Sequence, residues 1–119
     1  MAISYSLDNL NTSAVYTGYT GYFISPLYTT GSLLRQTTPT EIEFNLARPL
    51  RANEGIKLEY RTDLTSSYTT IGTYTYTTEG AVVSVNKVYD FPPCEQIQFK
   101  ISLTGTTTTP ELKSVEIRW

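Results

Sequence analysis

The stretch that decides the fold is Glu41–Leu46, Glu-Ile-Glu-Phe-Asn-Leu, in which polar and apolar side chains alternate without a break. A period of two over six residues predicts a β-strand with one buried face and one solvated face. Residues 56–61, 97–103 and 114–119 alternate in the same way. Four such strands in a short chain indicate a protein built from sheets.

The apolar members of these four strands form the predicted core. They are Ile42, Phe44, Leu46, Ile56, Leu58, Tyr60, Ile97, Phe99, Ile101, Leu103, Val115, Ile117 and Trp119. The alternate positions, Gln98 among them, are predicted to point outward. For Glu41 and Glu43 we expect cross-strand partners in Lys57 and Arg61, because opposite charges stabilise facing positions of a sheet.

Weaker strand patterns lie elsewhere. Residues 21–27 resemble a strand that reaches Pro26, and residues 67–78 read as one or two strands around Gly72, with Tyr74 and Tyr76 on a shared, buried face. Residues 81–89 read as a further strand, which the prolines after Phe91 end.

No stretch carries a helical period, so we predict an all-β fold, an antiparallel two-sheet β-sandwich of the jelly-roll type. The predicted sandwich spans residues 21–119. Residues 1–20 form an N-terminal arm or edge strand.

Length and charge exclude several classes of protein. The chain has 119 residues, which indicates one domain. The net charge is −2 and the nine basic residues are scattered, so we expect neither nucleic acid nor a membrane surface as a partner. No apolar stretch approaches the roughly 20 residues of a membrane span. The start of the chain lacks the pattern of a signal peptide, so we expect no export by the standard route.

The residues that most enzymes use are missing from the sequence. There is no histidine and only one cysteine, Cys94, which excludes His-based nucleophilic catalysis, makes a zinc site improbable and rules out an internal disulfide. We expect Cys94 to be a buried thiol near the start of a strand. Glu41, Glu43 and Glu59 are interpreted as solvated strand residues. We therefore predict no enzyme, no cofactor and no metal site, and only calcium stays open, through the oxygen-rich residues 8–11.

Tyrosines are the strongest binding signal. Tyr16, Tyr19 and Tyr22 lie in a Thr- and Gly-rich stretch. Tyrosine offers a large amphipathic surface at a low entropic cost, which suits sugar stacking and protein interfaces. These three are the candidate binding residues, and the alternative is that they seal the edge of the sandwich.

Three stretches together resemble β-sandwich domains of tailed-bacteriophage virion proteins, which are similar in outline to jelly-roll carbohydrate-binding modules. They are residues 22–31 with Ser-Pro-Leu-Tyr-x-x-Gly, residues 56–63 with Tyr-Arg-x-Asp, and residues 97–103 followed by residues 109–117 with Pro-Glu-Leu-x-Ser-Val. The resemblance implies a non-enzymatic virion structural module, a capsid decoration protein or tail component that contacts other virion proteins. It implies assembly in the host cytoplasm and homo-oligomers.

The N-terminal stretch fits that role. Ile3, Tyr5 and Leu7 alternate with polar residues, so this arm is predicted to add a strand to a neighbouring subunit. The alternative function is a carbohydrate-binding or host-adhesion module that recognises surface glycans.

Overall fold

The computed structural model describes residues 2–6, 15–17, 20–29, 40–92, 94 and 96–118. Ten strands and one short helix lie in these ranges. They are β1 (Ala2–Ser6), β2 (Val15–Thr17), β3 (Thr20–Ile24), β4 (Tyr28–Thr29), β5 (Thr40–Leu46), β6 (Gly55–Arg61), β7 (Thr69–Thr75), α1 (Tyr76–Glu79), β8 (Ser84–Tyr89), β9 (Gln96–Thr104) and β10 (Leu112–Arg118).

The strands form two sheets whose pairings are all antiparallel. The first sheet has four strands in the order β1-β10-β5-β8. The second has six, in the order β2-β3-β9-β6-β7, and β4 also pairs with β9. The predicted all-β, two-sheet antiparallel sandwich is therefore confirmed. Within the described part of the chain, no helix is long and apolar enough to cross a bilayer.

The core lies between the sheets and is filled by the alternating positions that the sequence predicted. Each of the four decisive strands buries its apolar side chains, and Phe23 of β3 joins them. Fully buried side chains include Phe23, Ile42, Phe44, Ile56, Leu58, Ile97, Phe99, Ile101, Leu103 and Leu112. The predicted core position of Trp119 lies outside the described residues.

Two local predictions are wrong. Tyr74 is buried against Phe44 with ring centroids 5.5 Å apart, but Tyr76 does not share its face. Tyr76 begins α1, because Thr75 caps the backbone amide of Thr78 and turns the chain away from the sheet, and Tyr76 is 39% exposed. The strand after α1 begins at Ser84 rather than at residue 81. The Val83 carbonyl accepts from the Leu46 amide and the Val82 carbonyl from the Leu50 amide, and these two hydrogen bonds do not belong to a regular ladder. Gln98 points outward as predicted but is buried, because Arg61 and Tyr68 cover it.

Aromatic rings close one end of the sandwich. Phe91, which follows β8, lies edge-on to Tyr60, Tyr89 and Phe99 with ring centroids 5.0, 4.8 and 6.1 Å away. Edge-to-face contact is a favoured arrangement of aromatic pairs. Burial, together with a hydrogen bond to Tyr89, raises the pKa of the Tyr60 hydroxyl to about 12. Cys94 packs against this core half-buried, and burial raises the pKa of its thiol, so it is a poor nucleophile at neutral pH.

An ion pair joins two loops of the sandwich. Glu54, which precedes β6 and is 2% exposed, accepts two hydrogen bonds from the Arg48 guanidinium, at 2.9 and 2.7 Å. It also accepts from the Arg51 amide and from the Thr108 hydroxyl in the β9–β10 loop, both at 2.7 Å. Arg48 in turn donates to the Thr109 carbonyl at 2.7 Å. Five hydrogen bonds therefore hold this ion pair in place, although Arg48 Nε has no hydrogen-bond partner among the described residues. Removal of one partner should be costly.

We expect this ion pair to make the fold acid-sensitive. Burial alone would raise the pKa of the Glu54 carboxyl, but its hydrogen bonds from Arg48, Thr108 and Arg51 outweigh burial and lower the pKa from its ordinary 4.5 to about 2. A pKa that is depressed in the folded state stabilises the fold above the unfolded-state pKa, and that stabilisation is lost as the pH falls from about 4.5 towards 2. The loss should amount to about 3 kcal/mol, measured by urea unfolding across this range.

The substitution Glu54→Gln should flatten that part of the pH dependence and lower the unfolding free energy at pH 7 by about 3–5 kcal/mol, because it removes the buried carboxylate that accepts two hydrogen bonds from Arg48. Glu111→Gln is the matched control. The Glu111 side chain is 60% exposed and lies 3.7 Å from Arg48 Nε, so its loss should cost less than about 1 kcal/mol. Equal effects of the two substitutions would contradict the role given to Glu54.

Candidate functional site

The six-stranded sheet carries a group of aromatic and charged side chains on the face that points away from the core. We call this group the outer-face cluster and define it by its residues. They are Tyr22 on β3, Gln98 and Lys100 on β9, Glu59 and Arg61 on β6, and Tyr68 just before β7. The order β3-β9-β6 places these strands side by side. The register sets Lys100 opposite Glu59 and Gln98 opposite Arg61.

Two tyrosine rings flank the Lys100 ammonium. Its Nζ lies 4.5 Å from the centroid of the Tyr22 ring and 5.5 Å from that of Tyr68. The Arg61 guanidinium carbon lies 4.5 Å from the same Tyr68 ring. Cations at these distances are attracted by the ring quadrupole. Tyr68 therefore holds two cations near one aromatic surface.

Gln98 is the polar centre of the cluster. Its side-chain oxygen accepts from Arg61 Nε at 2.7 Å and from the Tyr68 hydroxyl at 3.2 Å, and its amide nitrogen donates to the Ser25 carbonyl at 2.9 Å. A buried amide is stable only where such partners exist. Gln98 therefore fixes both an arginine and a tyrosine of the surface to the strand beneath them.

Ser25 anchors the end of β3 to β9. Its backbone amide donates to the Phe99 carbonyl, and its hydroxyl accepts from the Phe99 amide, both at 2.9 Å. The hydroxyl donates to the Pro26 carbonyl at 2.7 Å. The Ser-Pro pair of the sequence therefore has a structural role, because it continues the β3–β9 pairing where the regular ladder ends.

The turn between β6 and β7 presents Tyr68. Asp63 Oδ1 accepts from the amides of Thr65 and Ser66, both at 2.8 Å, and from the Thr65 hydroxyl at 2.6 Å, while Oδ2 accepts from the Ser66 hydroxyl. These hydrogen bonds, led by those of the Ser66 and Thr65 hydroxyls, hold the pKa of the Asp63 carboxyl well below its usual range. Asp63 thus stays ionised and keeps the turn closed.

The structure places the predicted tyrosines unequally. Tyr22 is half-buried on β3 and belongs to the outer-face cluster. Tyr16 lies on β2, opposite Gly21, and only its backbone is described. Tyr19 lies outside the described residues. Ligand binding by these three stays a prediction, and of the three only Tyr22 is placed in the cluster.

The N-terminal strand is paired within its own chain. Ile3 lies opposite Ile117 of β10, and Tyr5 lies opposite Val115. Leu7 lies outside the described residues. β1 is an edge strand of the four-stranded sheet, and contact of these residues with another subunit stays a prediction.

The acids of β5 have a different partner from the expected one. Glu41 and Glu43 lie on the four-stranded sheet, whereas Lys57, Arg61 and Glu59 lie on the other sheet, so the predicted pairing is wrong. Their cation is Arg118 of β10, at 3.2 Å from Glu41 and 2.5 Å from Glu43, and Glu116 joins them. Antiparallel register explains this, because it sets Arg118 opposite Glu41. The acids are occupied in an ion-pair network.

No set of three or more potential metal ligands comes together among the described residues. Residues 8–11, where the calcium question was left open, lie outside them. The absence of enzymatic activity and of a cofactor stays a prediction.

Sequence reasoning missed Lys100, Tyr68, Gln98 and Arg61 as site residues. The signals were present: Lys100 sits at an outward position of an alternating strand, and Arg61 belongs to the Tyr-Arg-x-Asp stretch. What was missing was the strand order, because β9 and β6 become neighbours only in the folded sheet.

No protein-family model and no curated protein sequence matches the chain. Among solved structures, a similar one is that of TmCBM61, a carbohydrate-binding module, in complex with β-1,4-galactotriose. The similarity covers 99% of this chain and 88% of that one, with 10% sequence identity and a TM-score of 0.46. Similarity at this level gives no information about the ligand of this chain. Nothing in the structure or in these comparisons shows a bacteriophage origin.

The role of Gln98 can be tested by Gln98→Leu. The change removes the acceptor of Arg61 and Tyr68 and leaves the Ser25 carbonyl without its donor, so the unfolding free energy should fall by about 1–3 kcal/mol in urea titrations. Gln96→Leu, two residues earlier on the same strand at a half-buried position, is the control and should cost less than about 0.5 kcal/mol. Equal decreases in unfolding free energy for the two variants would show that the hydrogen bonds of Gln98 do not stabilise the fold.

Proposed function

We propose that this protein is a carbohydrate-binding module and that it binds glycans on the outer face of the six-stranded sheet. The observation that carries the proposal is the outer-face cluster, in which two tyrosine rings and several hydrogen-bonding side chains share one solvent-facing surface. The proposal keeps Tyr22 from the sequence analysis and adds residues that only the fold brings to it.

The chemistry of the cluster suits a sugar. A pyranose ring presents a flat face of C–H groups and a rim of hydroxyls. The Tyr22 and Tyr68 rings offer amphipathic surface for the C–H face, and the carboxylate of Glu59, the Lys100 ammonium and the tyrosine hydroxyls can bond the rim. Lys100 sits on a flexible stem and can move aside as a sugar ring arrives.

The cluster is also held in place before any ligand binds. Tyr68 is fixed by its hydrogen bond to Gln98 and by the turn around Asp63, and Tyr22 lies on a strand paired on both sides. Side chains that are already ordered lose less conformational entropy when a ligand binds, which favours affinity for weakly held ligands such as sugars.

Binding should be measured first by screening the wild-type protein against a panel of neutral and acidic oligosaccharides, then by calorimetry on the best ligand. Tyr22→Ala and Tyr68→Ala should each weaken binding about tenfold or more, about 1.4 kcal/mol, because each removes an aromatic surface. Tyr76→Ala is the matched control, since Tyr76 is an exposed tyrosine on α1 and not part of the cluster.

Circular dichroism must show that all three variants fold. The proposal fails if the wild-type protein binds no glycan in the panel at millimolar concentration, or if the two cluster variants bind as tightly as the Tyr76 control.

The second candidate function is the virion structural role through protein–protein contacts. What favours protein contact is the position of β1 at the edge of the four-stranded sheet, where a strand from a neighbouring copy can add. Light scattering should then find a self-association that grows with concentration and disappears when residues 1–12 are deleted. Self-association that survives the deletion, in a variant with wild-type circular dichroism, would remove this role for the N-terminal stretch.

A further inference from the structure

The two outer faces of the sandwich differ in charge. On the six-stranded sheet, the described outward strand positions carry three cations, Lys57, Arg61 and Lys100, and one anion, Glu59. The four-stranded sheet carries three acids around Arg118, as described above. A chain with a net charge of −2 therefore presents a positive surface at the outer-face cluster.

Among the described residues, two of these cations have no carboxylate within ion-pair distance. Lys57 Nζ lies 3.7 Å from Glu59, so that pair is compensated locally. Among the described residues, Lys100 and Arg61 form no ion pair: Lys100 is held by aromatic rings, and Arg61 by the neutral Gln98 amide and the Tyr68 ring.

The two cations share one aromatic neighbour. The Arg61 guanidinium carbon lies 4.5 Å and the Lys100 ammonium nitrogen 5.5 Å from the centroid of the Tyr68 ring. An anion that contacts both cations beside this ring is favoured electrostatically. Gln98 accepts the hydrogen bond of Arg61 Nε, and the two terminal nitrogens of the guanidinium form no hydrogen bond to the described residues. Those two nitrogens match the two oxygens of a carboxylate.

We infer that the glycan bound by the outer-face cluster is acidic, and that Lys100 and Arg61 bind the carboxylate of a uronic acid residue beside the tyrosine rings. This inference rests on the proposed function and names the class of sugar that the same surface selects. Tyrosine surface alone would accept a neutral sugar, so the paired cations are what give the preference for the acid.

The test compares each ligand with its uncharged form. Oligogalacturonate, oligoalginate and hyaluronan fragments are titrated into the wild-type protein by calorimetry, each beside its methyl ester, which removes the charge and leaves the ring. At least one acidic oligosaccharide should bind about tenfold or more tightly than its ester. Raising the salt from about 0.05 to 0.5 M should remove most of that difference, because exposed charges are screened.

Lys100→Gln should reduce the preference for the acid over its ester to about twofold or less, because the acid loses a charge–charge contact that its ester does not make. Lys113→Gln is the matched control, because Lys113 is an exposed lysine on β10 of the other sheet and should keep the full preference. Lys100 is half-buried on the outer face and Lys113 is exposed. Because neither side chain belongs to the core, both variants are expected to fold as the wild-type protein does.

The outcomes separate the two proposals. If acid and ester bind equally, or if a neutral or a sulfated oligosaccharide binds while no uronate does, the inference of a carboxylate site is overturned and glycan binding stands. If Lys100→Gln keeps the preference, the assigned residue is wrong. If no oligosaccharide of any class binds, the proposed function itself fails.

Discussion

The interaction on which the rest of the structure depends is the pairing of β9 on both of its edges. β9 pairs with β3 and β4 on one side and with β6 on the other, so it is the strand through which the six-stranded sheet is held together. Because side chains of a strand alternate between faces, this one segment supplies four core residues and, between them, two residues of the candidate site. Any change that shifts its register by one residue would exchange the core with the surface.

The same constraint explains why the site is well ordered. Phe99 and Gln98 are adjacent in the chain, and Ser25 bonds both: the Phe99 backbone on one side and the Gln98 amide on the other. Packing of the core therefore positions the surface. Gln98 accepts hydrogen bonds from the Tyr68 hydroxyl and the Arg61 guanidinium, so the core also fixes the positions of these two surface side chains.

Charged side chains are segregated between the two sheets and the loops. Acids gather around Arg118 on one sheet, cations gather around tyrosines on the other, and the buried Arg48–Glu54 pair joins the loops between strands. The three arrangements use the same residue types in different surroundings. In the outer-face cluster, Lys100 and Arg61 lie against aromatic rings and form no ion pair among the described residues, and this is the surface to which we assign a ligand.

The sequence by itself determined the fold class and most of the core, because a period of two can be read directly along the chain, as in residues 41–46 and 97–103. It also pointed to Tyr22. It misjudged Tyr76, whose direction follows from the cap at Thr75. It gave the outward direction of Gln98 correctly but not its burial beneath Tyr68 and Arg61.

Tertiary structure alone decided which strands are neighbours, and therefore which charges meet. Arg118 rather than Lys57 or Arg61 lies beside Glu41, and Lys100 lies between Tyr22 and Tyr68, residues 46 positions apart in the chain. The alternation of a sequence shows which face of the sheet each side chain occupies, but it does not show which strand lies next to it. The candidate site is made of contacts between neighbouring strands, so only the fold could assemble it.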